Sequence, residues 1–469
     1  MSLADLNARV AHDLVSLNHR APDWVPPRDG VLDVVIVGGG QSGLAAAFAL
    51  QRERVSNILV IDENPAGYEG PWDTYARMRT LRTPKELTAL DLGMPSLTFR
   101  AWWEAQHGAE GWSALGKIPR RDWMAYLRWY RAVLDLPVRN DTRLDLIEPQ
   151  AGGVHRLSLH DGSTLLARKV VLATGIQGGG QWHVPPFIAG KLPRALYAHT
   201  SEAIDYAAMA GKRIAILGGG ASAFDNAATA LELGAGAAHV HIRRPALPRI
   251  NVIRFMEANG FIPRFASLGD ATKYEVMASF FGRNQPPTTD MFDYAASFPG
   301  FALHTGSAWL DVAEVDGRAR VTTPRGDLDY DFLVLSTGFV TDSALRPELS
   351  LVADGIARWA DRYTPPAAIA NPLLDAHPYL GPGFELLPRR PDDAAAVHGL
   401  FAFNYSALVS HGLSAAALSG LKQALPRLAG GVADQLFRDD ERELLAAYHA
   451  YEEVEFTAEW RGDAQEAAA

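Results

Sequence analysis

Glycines 38, 40 and 43 stand at GxGxxG spacing in "VVIVGGGQSGLAAAFAL", and 180 residues later Gly218, Gly220 and Ala223 repeat the pattern as GxGxxA in "RIAILGGGASAFDNA". Residues of this kind make and break no bonds; what they permit is the holding of a pyrophosphate. The first allows a tight turn, the second lets phosphates approach the backbone, and the third, glycine or alanine, lets helix pack closely on strand. Gln41 and Ser42 complete the first turn, and Ala221 and Ser222 the second. There the unpaired N–H groups and the dipole of a helix start favour an anion.

The residues that follow the two turns differ in charge. After the first, the segment "NILVIDEN" ends at Asp62, 24 residues beyond Gly38, with Glu63 beside it. A carboxylate there accepts hydrogen bonds from the free hydroxyls of an adenosine ribose. After the second, "AAHVHIRR" ends in Arg243 and Arg244, 25 residues beyond Gly218. A guanidinium pairs with a ribose 2′-phosphate instead. The first turn is therefore expected to take an unphosphorylated dinucleotide and the second NADPH.

Two strand–turn–helix units are needed to position these groups. The continuous apolar runs Val34 to Val37 and Ile214 to Leu217 suit parallel strands buried on both faces. Two more apolar strands, "RKVVLATG" and "YDFLVLSTG", end in Thr174–Gly175 and Thr337–Gly338, on either side of the second repeat. That order suggests a second nucleotide unit inserted into the first. The last part, "VHGLFAFNYSALVSHGLSAAALSGLKQAL", reads as strand, loop and a helix beginning near Ser410 to Leu413. Leu413 would then face a bound cofactor; a small-residue core helix is the other reading. Leu144, at the head of "LDLIEPQ", is assigned to the cofactor face as well.

Together the two turns, the strand-end arginines and the ATG and STG strands resemble the flavin-containing monooxygenases, the class B flavoproteins that include N-hydroxylating and Baeyer–Villiger enzymes. The resemblance runs from about 30 to 430. "EGPWDTY" is similar to that family's Gly-x-Trp segment and implies Trp72 near the flavin. "TLRTPKE" is similar to its TNxPKE-type stretch, with Arg82 where animal-type enzymes carry asparagine. His199 stands 19 residues before Gly218, as does the histidine of the family fingerprint, although Pro193, Ala195 and Ala203 depart from that fingerprint. The resemblance implies catalytic roles for Arg82 and His199; Arg82 could hold a peroxide or substrate carboxylate, or be an ion-pair residue. It implies an α/β fold with two Rossmann-like dinucleotide-binding domains, the NADPH domain inserted into the FAD domain. An N-terminal helical extension and linker would span 1–29, the FAD domain 30–180 and 335–469, and the NADPH domain 181–334. It also implies a chemistry carried by cofactors. NADPH would reduce FAD, a C4a-(hydro)peroxyflavin would form with O₂, and one oxygen atom would pass to a small-molecule nitrogen, sulfur or carbonyl centre. A reductase or oxidase without oxygen insertion, and a flavin-binding redox sensor, are the alternatives.

Composition agrees with such a protein. At 469 residues there is ample length for two domains, and a net charge of −10 argues against nucleic acid as a partner. The absence of cysteine removes a dithiol relay. The N-terminal segment reads as an amphipathic helix before a proline-rich linker, with no apolar targeting core, and no run of 18 apolar residues exists. A cytoplasmic protein with small-molecule partners is expected, and a homodimer is compatible with the sequence. Trp123, Tyr126, Leu127 and Tyr130 recur at helical spacing and read as core. The 14 histidines lack HxxxH or HxxE spacing, so no metal site is expected, and His241 reads as structural. The segment 250–300 reads as loops of an insertion that shapes a pocket or forms an oligomer contact.

Overall fold

The apolar run of the first repeat forms the strand Leu32–Val37 at the centre of a seven-stranded sheet. The computed structural model that defines this arrangement describes residues 2–458 except 20, 88, 89 and 416. Val34, Val35 and Ile36 are wholly inaccessible to solvent, as a strand covered on both faces requires. Parallel neighbours flank it: Ile58–Ile61 on one side, with Val37 opposite Ile61, and Thr164–Leu172 on the other, with Val37 opposite Leu172. Leu400–Ala402 joins the far side of Val170–Leu172, returning the chain to this sheet from the C-terminal third. An antiparallel pair, Leu144–Gln150 and Val154–Leu159, extends the sheet from the N-terminal part of Thr164–Leu172.

The second repeat builds its own sheet of five parallel strands, in the order Phe301–His304, Ala237–His241, Arg213–Leu217, Phe332–Leu335 and Tyr197–His199. The chain crosses between the two sheets along a two-stranded antiparallel ribbon, Gly180–Trp182 with Phe339–Thr341. In each sheet the glycine turn leaves a central strand where strand order reverses, the crevice in which open α/β sheets take ligands.

The N-terminal segment is helical from Leu3 to Ser16, with Ser2 and Asp5 forming a capping box and Leu6 and Val10 buried. Trp123, Met124, Tyr126, Leu127 and Tyr130 lie buried on the helix Arg120–Val133. The phenols there reach backbone acceptors, Tyr126 to the Leu97 carbonyl at 2.6 Å and Tyr130 to that of Leu90 at 2.7 Å. These rings are core.

Two expectations need correction. The helix expected from Ser410–Leu413 starts at Leu418: Leu408–His411 is one short turn, and Gly412 at φ 66° breaks it before the helix Leu418–Asp439. Residues 250–300 are largely helical, not open loop, forming Val252–Ala258, Phe261–Arg264, Asp270–Arg283 and Thr289–Ala296. Their Met256, Phe265, Tyr274 and Met277 pack with Trp359, Leu374, Leu408 and Leu413 in a separate core. Among the described residues no helix is long and apolar enough to cross a membrane.

Candidate functional site

The two glycine turns are built alike. A Cβ on Gly38 would sit 2.6 Å from the Ala173 carbonyl oxygen, and one on Gly218 would sit 2.2 Å from that of Ser336. Each turn is thus pressed against the end of the strand beside it, and each of these glycines has positive φ, 107° and 128°. A Cβ on Gly43 would lie 1.8 Å from the Gly38 oxygen, which is the close helix–strand approach the third position serves. The helices that follow, Gln41–Arg52 and Ala221–Glu232, have Gly40 and Gly220 at their N-caps and no side-chain cap. Their first N–H groups therefore await another acceptor.

Both turns open on one cavity of about 1800 Å³. Single small-ligand pockets run to roughly 300–1,000 Å³, so the space suits two nucleotides. Every site residue assigned from sequence lines it except Gly43 and Ala223, which are buried behind the turns. Leu144 and Leu413 are wall residues, the latter in the turn after Gly412. Trp72 also lines the wall, and its indole Nε1 is shielded from solvent with no protein acceptor.

The strand-end charges take distinct positions. Asp62 is buried, accepts the Gly39 N–H at 2.7 Å through one oxygen, and accepts from the Asn64 backbone and amide through the other. Burial raises its pKa, the hydrogen bonds working against that. Glu63 is exposed on the cavity side. Arg243 is exposed and lines the cavity, with no partner among the described residues. Arg244 instead donates to the carbonyls of Gly282 and Arg283, at 2.8 and 3.2 Å, and caps the end of the helix Asp270–Arg283.

His199 and Arg82 both line the cavity. His199 is buried, its Nε2 donates to the Gly338 carbonyl at 3.0 Å, and its Nδ1 accepts the Ser201 N–H at 3.2 Å. Its ring lies parallel to that of Trp182, 5.7 Å away. Burial lowers its pKa to about 4, so the ring is neutral with both nitrogens engaged. It anchors the Thr337–Gly338 turn to the crossing ribbon. Arg82 pairs with Asp225, on the second phosphate helix. Asp225 is buried and lifted to about 6 by desolvation, against the opposing pull of Arg82, and its Oδ1 has no partner.

Several cavity residues carried no sequence signal on their own. Asp225 was readable only as an acid among the small residues of the second phosphate helix. Gln285 lines the cavity with neither amide atom partnered, although both are shielded from solvent. Behind the cavity wall, Asn404 holds the first sheet's exit loop by donating to Thr174 Oγ1 at 3.1 Å. Three histidines also depart from the expected scatter: His239 and His241 converge with His304.

The comparisons with known proteins agree with this architecture. A family model described as FAD-NAD(P)-binding matches residues 35–177, and one for L-lysine 6-monooxygenase/L-ornithine 5-monooxygenase matches residues 113–265. The chain is 65% identical over 465 residues to an FAD-dependent urate hydroxylase of Xanthomonas campestris pv. campestris, with 98% of each chain covered. Among solved structures, an ornithine hydroxylase from Pseudomonas aeruginosa has a TM-score of 0.67 at 20% identity, over 87% of this chain and 100% of that one. An L-lysine 6-monooxygenase from Pseudomonas syringae has a TM-score of 0.65 at 18% identity, over 86% and 99%. At such identities the structural likeness speaks to the fold.

Proposed function

The chain belongs to the FAD- and NADPH-dependent flavoprotein monooxygenases, and from that membership we propose that the small molecule it hydroxylates is urate. It is an oxidoreductase that uses O₂ and places one oxygen atom on its substrate. The observation that carries the substrate is the 65% identity, over 98% of both chains, to a urate hydroxylase. The overall balance is urate, O₂, NADPH and a proton giving hydroxylated urate, NADP⁺ and water.

FAD, when bound, supplies the redox chemistry that side chains lack. The protein's part is to bind, orient and exclude water. The Gly38–Gly43 turn and the uncapped start of Gln41–Arg52 would hold the FAD pyrophosphate, with Asp62 and Glu63 at the ribose. The Gly218–Ala223 turn would hold that of NADPH, with Arg243 at the 2′-phosphate. His199, with no free nitrogen, would position the Thr337–Gly338 turn and not transfer a proton.

Urate is flat, with N–H donors beside C=O acceptors around its edge. A carboxamide pairs with such an edge at two points. Gln285 offers an unpartnered donor and acceptor to the cavity, and Asp225 Oδ1 offers a second acceptor. Buried polar atoms of this kind are costly unless a ligand meets them.

The second reading is amine N-hydroxylation, favoured by the match of residues 113–265 to the lysine and ornithine monooxygenase model. One experiment separates the two. NADPH oxidation is followed with urate, L-ornithine or L-lysine under isotopically labelled O₂, and products are analysed by mass. Acceleration by urate, with one labelled atom in the product, is expected. Acceleration and labelling by an amine, with none for urate, overturns the assignment. A cytoplasmic location and a homodimer belong to the same proposal, tested by cell fractionation and light scattering.

A further inference from the structure

His239 and His241 alternate on the strand Ala237–His241 and so share one of its faces. His304 ends the neighbouring parallel strand, in register opposite His241. One ligand atom from each of the three lies within 4.8 Å of the others. A fourth group joins them from the hairpin of strands Arg318–Thr323 and Gly326–Tyr330, part of a separate three-stranded antiparallel sheet: Tyr330 Oη is 3.1 Å from His239 Nδ1 and 2.9 Å from His241 Nε2. His304 Nε2 stands 3.3 Å from His239 Nδ1. We propose that His239, His241 and His304, with the Tyr330 hydroxyl, form a binding site for a divalent transition-metal ion at the edge of the second nucleotide sheet.

The separations are those of a coordination shell. With metal–nitrogen bonds of about 2.0–2.1 Å, the donors of a tetrahedral site lie roughly 3.3 Å apart. The His239–His304 pair already has that spacing, and the two contacts to Tyr330 are only slightly shorter. The rings of His241 and His304 stack at 4.5 Å with 15° between planes, so closing on an ion needs the half-buried His304 ring to tilt.

A hydrogen bond outside the cluster orients one ligand. His241 Nδ1 meets Ser307 Oγ at 2.9 Å, which fixes the ring with Nε2 facing the centre. Without an ion, protons shared among the rings and the phenol hold these three contacts together. A cation uses every lone pair at once.

The charges around the cluster set selectivity. Arg213 lies over the Tyr330 ring, Arg325 faces His304, and no carboxylate is among the donors. Affinity must come from imidazole–metal bonds, which favours Zn²⁺, Ni²⁺ or Cu²⁺ over Mg²⁺ or Ca²⁺. Bound there, the ion would tie the two strand ends and the hairpin together, two residues before Arg243.

The test uses the full chain loaded with FAD, stripped of metal with a chelator and titrated with Co²⁺, then Zn²⁺. The expected result is one Co²⁺ per chain with the visible ligand-field bands of a four-coordinate site, displaced by Zn²⁺. His304→Gln should weaken binding by at least about tenfold. His449→Gln, at an exposed site in the last helix, should leave it unchanged. His239→Gln is made in parallel, and FAD content reports whether each variant is folded. Absence of a stoichiometric Co²⁺ spectrum, or equal affinity in folded His304→Gln, overturns the site.

Discussion

Arg82 and Asp225 are ion-paired across 143 residues of chain, the guanidinium coming from the segment after Trp72 and the carboxylate from the second phosphate helix. The pair therefore links the wall of one nucleotide fold to the other. Desolvation lifts Asp225 to about 6, so the ion pair forms as pH rises through that value and is lost as pH falls below it. NADPH-driven flavin reduction should show a limb rising across about pH 5 to 7, and Asp225→Asn should flatten it. Following reduction without oxygenation keeps the substrate's own ionisation out of the profile. Arg82→Ala should lower stability by about 1–2 kcal/mol in urea unfolding, less than a fully buried pair would cost because the arginine side chain is 38% exposed. An unchanged pH limb in Asp225→Asn would dissociate the pair from hydride delivery.

The two arginines after Ala237–His241 are not equivalent. Arg243 lines the cavity with no partner among the described residues, whereas Arg244 is engaged by the carbonyls that end the helix Asp270–Arg283. Losing a charge-assisted contact to a 2′-phosphate costs about 1.5–3 kcal/mol. Arg243→Ala should accordingly raise KM for NADPH by roughly 10- to 100-fold, and leave KM for NADH nearly unchanged. Arg244→Ala should alter both cofactors alike and lower thermal stability. Equal effects of Arg243→Ala on NADPH and NADH would remove its phosphate role.

These charges were legible in the sequence because each lies a short, fixed distance from a turn that local rules define. The apolar strands and the glycine spacing were legible for the same reason. What escaped depended on contacts between distant segments. Asp225 gains its meaning from Arg82, and His304 meets His241 only once their strands pair in parallel. The alternation of His239 and His241 was visible, but a strand of two histidines is incomplete without its neighbour. The false helix start near Ser410 has a different cause. "SHGLSAAALSG" is rich in alanine and leucine, yet Gly412 takes φ 66° and turns the chain before Leu418. The glycine was visible, but only the fold shows that it adopts the positive-φ conformation that ends the turn.

Acid should loosen the contact between the helix Leu418–Asp439 and the first sheet. Asp439, at the end of Leu418–Asp439, accepts from Lys169 Nζ at 2.7 Å and pairs with His398 Nε2 at 2.8 Å. Burial alone would raise its pKa, but the hydrogen bonds and charges of His398 and Lys169 outweigh this and hold it at about 2, below the ordinary 3.8. A depressed carboxyl pKa stabilises the fold above the unfolded value, and that stability drains away as pH falls from about 4 to about 2. Asp439→Asn should thus destabilise the holoenzyme by on the order of 2 kcal/mol at pH 7 and by much less near pH 2. Urea midpoints read by tryptophan fluorescence at both pH values check this. A deficit independent of pH would mean that packing, not charge, is what the substitution disturbs.

The glycines of the second turn divide into those the fold needs and one that only a ligand needs. A Cβ on Gly218 would meet the Ser336 carbonyl oxygen at 2.2 Å, and its φ of 128° is hostile to any side chain. Gly218→Ala should cost more than about 2 kcal/mol whether or not nucleotide is present. Gly220 is different: its φ is −76°, and nothing of the protein lies within 4 Å of a Cβ built there. No feature of the folded chain forbids alanine at that position. If its space belongs to the NADPH pyrophosphate, Gly220→Ala should keep its FAD and its melting temperature while NADPH affinity falls by at least about tenfold, the cost of holding a phosphate off the helix N-terminus. Titration of the oxidised holoenzyme with NADP⁺, alongside thermal unfolding, reads both quantities. An unchanged NADP⁺ affinity would place the pyrophosphate elsewhere, and with it the turn's whole purpose.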